Sequence, residues 1–236
     1  MATPDHTVRR SAKAKNIRLK VTPQDGLVVV LPSQFDERKL PAILKRKQGW
    51  IAEALAIAER TRRFLEPRPI THLPDCLDLQ ALHENWHVSY QTLPDARGVM
   101  LRANGKHLEF GGSKFSRAKV VARLKAWLRR RVREELAGLA ADIAQKKRFE
   151  LRKVLVKNQR TRWASCSAKR NLSLNIKLLF IPAELVRYVI IHELCHSVHL
   201  NHSPEFWRLV QTHEPRFRAL DQQLRDAWKC VPQWLF

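Results

Sequence analysis

The chain has 236 residues, 44% of them apolar, and its 44 basic against 22 acidic residues give a net charge of +22. This length and composition allow a buried core in one large domain or two small ones, while no apolar run approaches the roughly 18 residues of a membrane span. The start, MATPDHTVRRSAKAK, lacks the apolar core of a secretory signal, and the cysteines are too scattered for a disulfide framework, so we expect a cytoplasmic protein without a membrane partner.

The first part of the chain predicts strands followed by a helix. Residues 8–32 alternate as β-strands do, and Gln24, Asp25 and Gly26 predict a hairpin turn between IRLKV and LVVVL. A helix is predicted from about Asp36 to Arg63, and it ends before the stiff breaker at 66–69.

Short β segments and a basic helix come next. Strands are predicted at 76–90, 99–103 and 107–110, the last two joined by a hairpin at Asn104 and Gly105. Residues 117–148 have apolar side chains at helical spacing and Arg or Lys on the remaining faces. This helix and the net charge are consistent with contact to nucleic acid or another polyanion, and equally with a solvated charged surface. Since no base-reading module is recognisable, such contact would be sequence-independent and sensitive to salt.

The third part of the chain predicts two strands and a long apolar helix. Residues 160–166 and 172–178 are predicted strands, with a turn at 168–171. A helix then runs through PAELVRYVIIHELCHSVHL, with Pro182 at a first-turn position where its missing N–H costs nothing. We place a division between an N-terminal β-rich region with the basic helix, 1–149, and a catalytic region, 150–236.

The sequence HELCH on this helix is typical of a zinc-dependent hydrolase. His192 and His196 stand four residues apart, so on a helix of about 3.6 residues per turn they share one face and can hold one metal ion. Glu193 lies off the ligand face but within reach of a water bound to the metal, which suits it as the catalytic base. This is the geometry of a zincin.

A catalytic zinc needs a third protein ligand, and two histidines compete for the role. His199 continues the same face, but lies about 10 Å along the axis from His192, too far for one ion on a straight helix. His202 is the better candidate if the chain turns back after Leu200, with Asn201 in a left-handed conformation at that turn. Weaker candidates are Glu205, His213 and Glu214.

The run RTRWASCSAKRNLSLNIKLLFIPAELVRYVIIHELCHSVHLNHSPEFW, from Arg160 to Trp207, resembles the YgjP-like metallopeptidases, zincins related to the SprT and WLM groups. The resemblance implies an α+β fold: mainly β segments with helices at the N-terminus, then a zincin-like catalytic part with an antiparallel sheet and an HExxH active-site helix. It also implies His192, His196 and His202 as zinc ligands and Glu193 as catalytic base. The family usually has Gly where this chain has Ala164.

Further site residues are predicted on either side of this helix. Zincins resembling this chain place an edge strand beside the metal, where an extended peptide can add to the sheet. Arg162 and Trp163 are interpreted as substrate-binding residues that border the cleft, although a surface cation and a core indole are equally consistent with the sequence. After the third histidine, Ser203 is a good N-cap and Pro204 takes the first helical position.

The main functional hypothesis is a zinc metallopeptidase that cleaves peptide or protein substrates with a zinc-bound water activated by Glu193. One alternative is a metal-dependent hydrolase of a phosphoanhydride such as a nucleoside triphosphate, although only seven Gly occur and no phosphate-binding loop is recognisable. A nucleic-acid-associated protease is another. A nucleic-acid-bound protein with purely structural zinc is disfavoured, because structural sites usually have four ligands and are rich in Cys.

Overall fold

The computed structural model describes residues 5–12, 14, 16–22, 25–65 and 73–236. The fold is mixed α+β, with small sheets and helices, as the sequence predicts. The chain forms two compact units, Met1–Pro67 and Arg68–Phe236. This differs from the division predicted between residues 149 and 150, which falls inside the larger unit because one apolar core runs from Leu77 to Leu235.

The smaller unit contains a three-stranded sheet and two helices. The predicted hairpin between the second and third strands is confirmed, with Thr22 opposite Gly26 and a positive φ of 63° at that glycine. Of its predicted turn residues, Gln24 lies outside the described part of the chain, as does the breaker at 66–69. The strands are β1 (His6–Ser11), β2 (Arg18–Thr22) and β3 (Gly26–Pro32), in the order β1-β3-β2.

The helix predicted from Asp36 to Arg63 is divided. Asp36 accepts a hydrogen bond from the backbone N–H of Arg38 and so caps a single helical turn at Glu37–Lys39. Two helices follow and are separated at Lys47: α1 (Leu40–Arg46) and α2 (Gln48–Leu65). Leu40, Leu44 and Ile51 pack against the buried face of β3. Both helices therefore contact the sheet through their apolar side chains.

The larger unit begins with a four-stranded sheet in the order β4 (Cys76–Leu79), β5 (Glu84–Thr92), β7 (His107–Gly112) and β6 (Met100–Asn104). The predicted hairpin at Asn104 and Gly105 joins its last two strands, and Gly105 has a φ of 58°. The basic segment is helical as predicted, but a π-helical stretch at Val132–Leu136 separates its two α-helices. These helices are α3 (Arg117–Arg131) and α4 (Ala137–Lys146).

A second small sheet and three helices complete this unit. The predicted strands at 160–166 and 172–178 are both shorter in the structure. The second ends at Asn175, because this residue caps a 3-10 helix at Ile176–Phe180. A further strand, at Lys153–Lys157, was not predicted. The strand order is β8 (Lys153–Lys157), β10 (Asn171–Asn175) and β9 (Ala164–Cys166), so among the described strands β9 is paired on one edge only. The predicted antiparallel sheet was wrong: β9 is antiparallel to β10, but β8 is parallel to it, so the sheet is mixed. The helices are α5 (Ala183–Cys195), α6 (Pro204–His213) and α7 (Phe217–Asp226).

Helix α5 passes through the core of the larger unit. Its side chains Tyr188, Ile190 and Leu194 are fully buried, which explains why the sequence there is apolar over most of the helix surface. Among the described residues, each helix is either too short or too polar to cross a lipid bilayer.

Candidate metal centre and active site

The C-terminal end of α5 carries the first two histidines of the candidate site. His192 lies on its last turn, and the helix ends at Cys195, so that His196 is the C-cap with φ −68° and ψ −14°. Because this φ and ψ are still helical, His192 and His196 remain on one face, as their spacing predicts. Their ring centroids are 5.2 Å apart.

The chain turns back earlier than predicted. The helix ends at Cys195 rather than after Leu200, and the hydroxyl of Ser197 donates to the carbonyl of Leu194 at 2.6 Å. The prediction of a left-handed Asn201 was wrong: among the described non-glycine residues, positive φ occurs at other positions. A C-terminal turn of several residues reverses the chain without that conformation.

This reversal brings His202 to the other two histidines. The Nε2 atoms of His192 and His202 are 3.1 Å apart, and one ligand atom from each of the three histidines lies within 4.8 Å of the others. Three nitrogens on one ion with bonds of about 2.0 Å and tetrahedral angles would be about 3.3 Å apart. The three imidazoles therefore fit a shared metal ion.

The protonation of these rings also suits metal binding. Burial lowers the pKa of His192 to about 3, helped by the neighbouring His196 and His202. Burial and His196 also lower the pKa of His202, while Asp221 acts in the opposite direction. A neutral imidazole offers a lone pair, so these two rings are ready to coordinate a cation at neutral pH.

The orientation of His196 is fixed by its surroundings. Its Nδ1 lies 3.0 Å from the carbonyl oxygen of His199. Since a carbonyl only accepts, Nδ1 carries the proton and Nε2 is left with the lone pair. Phe206 stacks on the same ring at a centroid distance of 4.4 Å. His199 thus contributes its backbone oxygen, and its ring is outside the histidine cluster.

The start of α6 supports the returning chain. The side chain of Ser203 accepts a hydrogen bond from the N–H of Phe206, and Pro204 occupies the first turn, as predicted. Trp207 stacks against His202 at 5.6 Å between centroids. The weaker candidates for the third ligand, Glu205, His213 and Glu214, lie outside the histidine cluster: Glu205 accepts from Arg208 and Glu214 from the backbone of Arg216.

Glu193 lies beside the histidines with its carboxylate directed toward β9. Its Oε2 accepts a hydrogen bond from the backbone N–H of Cys166 at 2.8 Å. Burial raises the pKa of Glu193 to about 7, while this hydrogen bond and the charge of Arg162 act to lower it. A carboxylate with a pKa near neutrality can both take up and release a proton.

The free edge of β9 faces the site. Ser165 pairs with Ser173 of β10, and Trp163 accepts at its carbonyl from the N–H of Asn175. Because backbone groups alternate in direction along an antiparallel strand, those of Ala164 and Cys166 point to the opposite edge. The bond from Cys166 to Glu193 agrees with this direction. The edge therefore presents backbone donors and acceptors next to Glu193.

A cavity of about 430 Å³ contains these groups. Arg162 is exposed on its wall. Trp163 also lines it, but its indole is only 8% exposed and stacks on Trp228 at a centroid distance of 3.9 Å. The lining residues are Arg162, Trp163, Ala164, Ser165, Cys166, Val189, His192, Glu193, His196, Leu200, His202, Asp221 and Leu224.

Sequence reasoning missed two contributors to this site. The backbone N–H of Cys166 carries no side-chain signal. Asp221 accepts a hydrogen bond from the hydroxyl of Tyr188 at 3.1 Å and from Arg225 at 3.4 Å, and it joins α7 to the ligand helix. Tyr188 lies one turn before His192 on a buried helix, so its hydroxyl required a partner, but nothing local indicated which.

A solved structure and a family model match parts of this chain. The structure of the metallopeptidase zymogen of Pyrococcus abyssi abylysin is similar at 23% sequence identity and a TM-score of 0.34, over 37% of this chain and 90% of that one. No curated protein matches the chain. The family model of the YgjP-like metallopeptidase domain matches residues 15–227. The chain therefore belongs to the YgjP-like metallopeptidase family.

Proposed function

We propose that the chain is a zinc-dependent peptidase in which Glu193 activates the attacking water. One observation carries the proposal: the buried carboxylate of Glu193 and the histidine cluster share one cavity beside an open strand edge. The family membership supports hydrolytic metallopeptidase chemistry and a divalent metal.

His192, His196 and His202 would hold the metal through ring nitrogens. Three imidazoles suit zinc, and three protein ligands leave a position for water or substrate. When bound, the metal supplies Lewis-acid chemistry to the reacting groups.

Glu193 performs the proton transfers in this proposal. Its Oε2 is held by the N–H of Cys166, which leaves Oε1 to accept a proton from the attacking water. The same carboxylate then delivers the proton to the leaving amine. The hydrogen bond fixes the direction of the carboxylate before substrate arrives.

The substrate in this proposal is an extended peptide added to β9. The free edge offers the backbone groups of Ala164 and the carbonyl of Cys166, which recognise a peptide without reading its side chains. Trp163, stacked on Trp228, forms part of the cavity wall, and Arg162 borders the peptide. This arrangement favours a peptidase of broad sequence tolerance.

The test is mass spectrometry of an unfolded protein after incubation with the zinc-loaded chain. A Glu193→Gln variant, which retains the ligands, and a metal-stripped sample are run in parallel. Fragments formed only by the active form are expected. Absence of fragments in every sample contradicts the proposal and would favour assays with nucleoside triphosphates.

A further inference from the structure

The direction of β9 assigns a direction to the bound peptide. Antiparallel pairing gives perpendicular hydrogen bonds and is slightly more stable than parallel pairing. A peptide antiparallel to β9 runs from the Cys166 end toward Ala164 and then Arg162. Glu193 is bonded to Cys166, so the bond that it attacks lies near that end. The residues after the cleaved bond therefore extend toward Arg162.

Arg162 is available for a ligand. Its side chain is exposed on the cavity wall, and no carboxylate of the described part of the chain forms an ion pair with it. Its backbone, in contrast, is fixed, because its carbonyl accepts a hydrogen bond from the side chain of Asn175 at 2.6 Å. A free guanidinium on a fixed backbone is well suited to bind a carboxylate with two hydrogen bonds.

We propose that Arg162 selects substrates with a carboxylate shortly after the cleaved bond, above all the free C-terminus of a peptide. This inference rests on the proposed peptidase function and names its substrate class. A fully extended chain rises by about 3.3 Å per residue, so the four steps from Cys166 to Arg162, two of them outside β9, span at most about 13 Å. The side chain of Arg162 shortens this distance, and the carboxylate therefore lies one to three residues beyond the bond.

Charge also favours this peptide direction over the reverse. In the reverse direction, the N-terminal half of the peptide would face Arg162, and a free N-terminus would bring a positive amine to a guanidinium. Arg162 and Glu193 line the same cavity, so a ligand bound there lies within reach of both residues.

The test compares one short, otherwise uncharged peptide in two forms, with a free C-terminal carboxylate and with a C-terminal amide. The wild type is expected to show a kcat/KM about tenfold higher for the carboxylate, the effect of one charge-assisted interaction. Arg162→Gln should bring this ratio close to one, and Arg162→Lys should restore part of it. Arg160→Gln is the matched control, because Arg160 is exposed but does not line the cavity.

Mass spectrometry of the products gives a second readout. The main cleaved bond should lie one to three residues before the carboxylate in the wild type. A ratio near one in the wild type, or a preference that survives in Arg162→Gln, overturns the inference and leaves the peptidase function standing. Cleavage of neither form, together with an intact unfolded protein, removes the peptidase function itself.

Discussion

The backbone N–H of Cys166 donates a hydrogen bond of 2.8 Å to the carboxylate of Glu193, across 27 positions of sequence. This bond joins the edge strand to the ligand helix. It sets the direction of the candidate base and occupies a donor of the edge on which we propose that substrate binds. The position of the edge strand and the direction of the Glu193 carboxylate are therefore coupled.

Replacing Cys166 with Pro tests this relationship. Proline removes the N–H, and it is tolerated at a strand edge where that N–H lies outside the ladder. Peptide hydrolysis should fall about tenfold through kcat. The pKa of Glu193 should rise, because the missing hydrogen bond favoured the charged carboxylate, so the acidic limb of the pH–rate profile moves to higher pH.

The control for this change is Cys166→Ala, which keeps the N–H and should keep the wild-type pH profile. If Cys166→Pro and Cys166→Ala behave alike while both remain folded, the hydrogen bond has no role in orienting the base.

His202→Ala should abolish tight metal binding. It removes one of three nitrogens of the cluster, and His202 is an exposed loop residue, so the fold should persist. Adding zinc should raise the melting temperature of the wild type, because zinc binds the folded state. At a zinc concentration a hundredfold above Kd, the free energy of unfolding should increase by about 2.7 kcal/mol. The variant should lack this increase in calorimetry.

His199→Ala is the matched control for His202→Ala. The contact of His199 with His196 is made by the backbone oxygen, which the substitution retains. Metal content and zinc-dependent stabilisation should therefore be close to wild type. Equal losses in the two variants would contradict the assignment of His202.

Lys177 should make folding stability depend on pH. Its side chain is 1% exposed and donates to Asn158 and to the carbonyl of Gln159. Burial lowers its pKa to about 8, with smaller contributions from Lys125 and Arg160. Between this value and the ordinary value of 10.5, the unfolded chain binds more protons than the folded one, so stability rises with pH across that window.

Urea denaturation of the wild type and Lys177→Met from pH 7 to 10 would measure this effect. The stability difference between them should change in favour of the wild type above pH 8, and it should stay constant below pH 8. A constant difference over the whole range would show that Lys177 keeps its ordinary pKa.

We expect the chain to bind single-stranded DNA without sequence preference and in a salt-dependent way. The basic side chains that bind would be the exposed ones on α3 and on the π-helical stretch that follows it. Arg129 and Arg133 are exposed there. Removing one side chain that binds a phosphate of single-stranded DNA should reduce the slope of log K against log salt by about 0.7. Arg129→Gln with Arg133→Gln should flatten the slope in anisotropy measurements, and an unchanged slope would exclude these two side chains from DNA binding.

The sequence by itself determined the local features. The spacing of His192 and His196, the cap at Ser203 and the hairpin glycine at Gly105 depend on neighbours a few residues away, and all of them appear in the structure where they were expected. The identity of Glu193 as the candidate base followed from the same short motif. Helical periodicity and turn chemistry act over this range, so a single sequence contains them.

Tertiary structure decided the rest. The end of α5 at Cys195, the partner of Glu193 and the place of Asp221 depend on contacts between distant segments, which no local pattern encodes. The sequence also left undetermined whether Trp163 lies in a cleft or in the core, since an indole suits both, and its stacking on Trp228 is a tertiary contact. Packing of one continuous core also set the division into units, since burial joins residues by proximity in space and not by order in the chain.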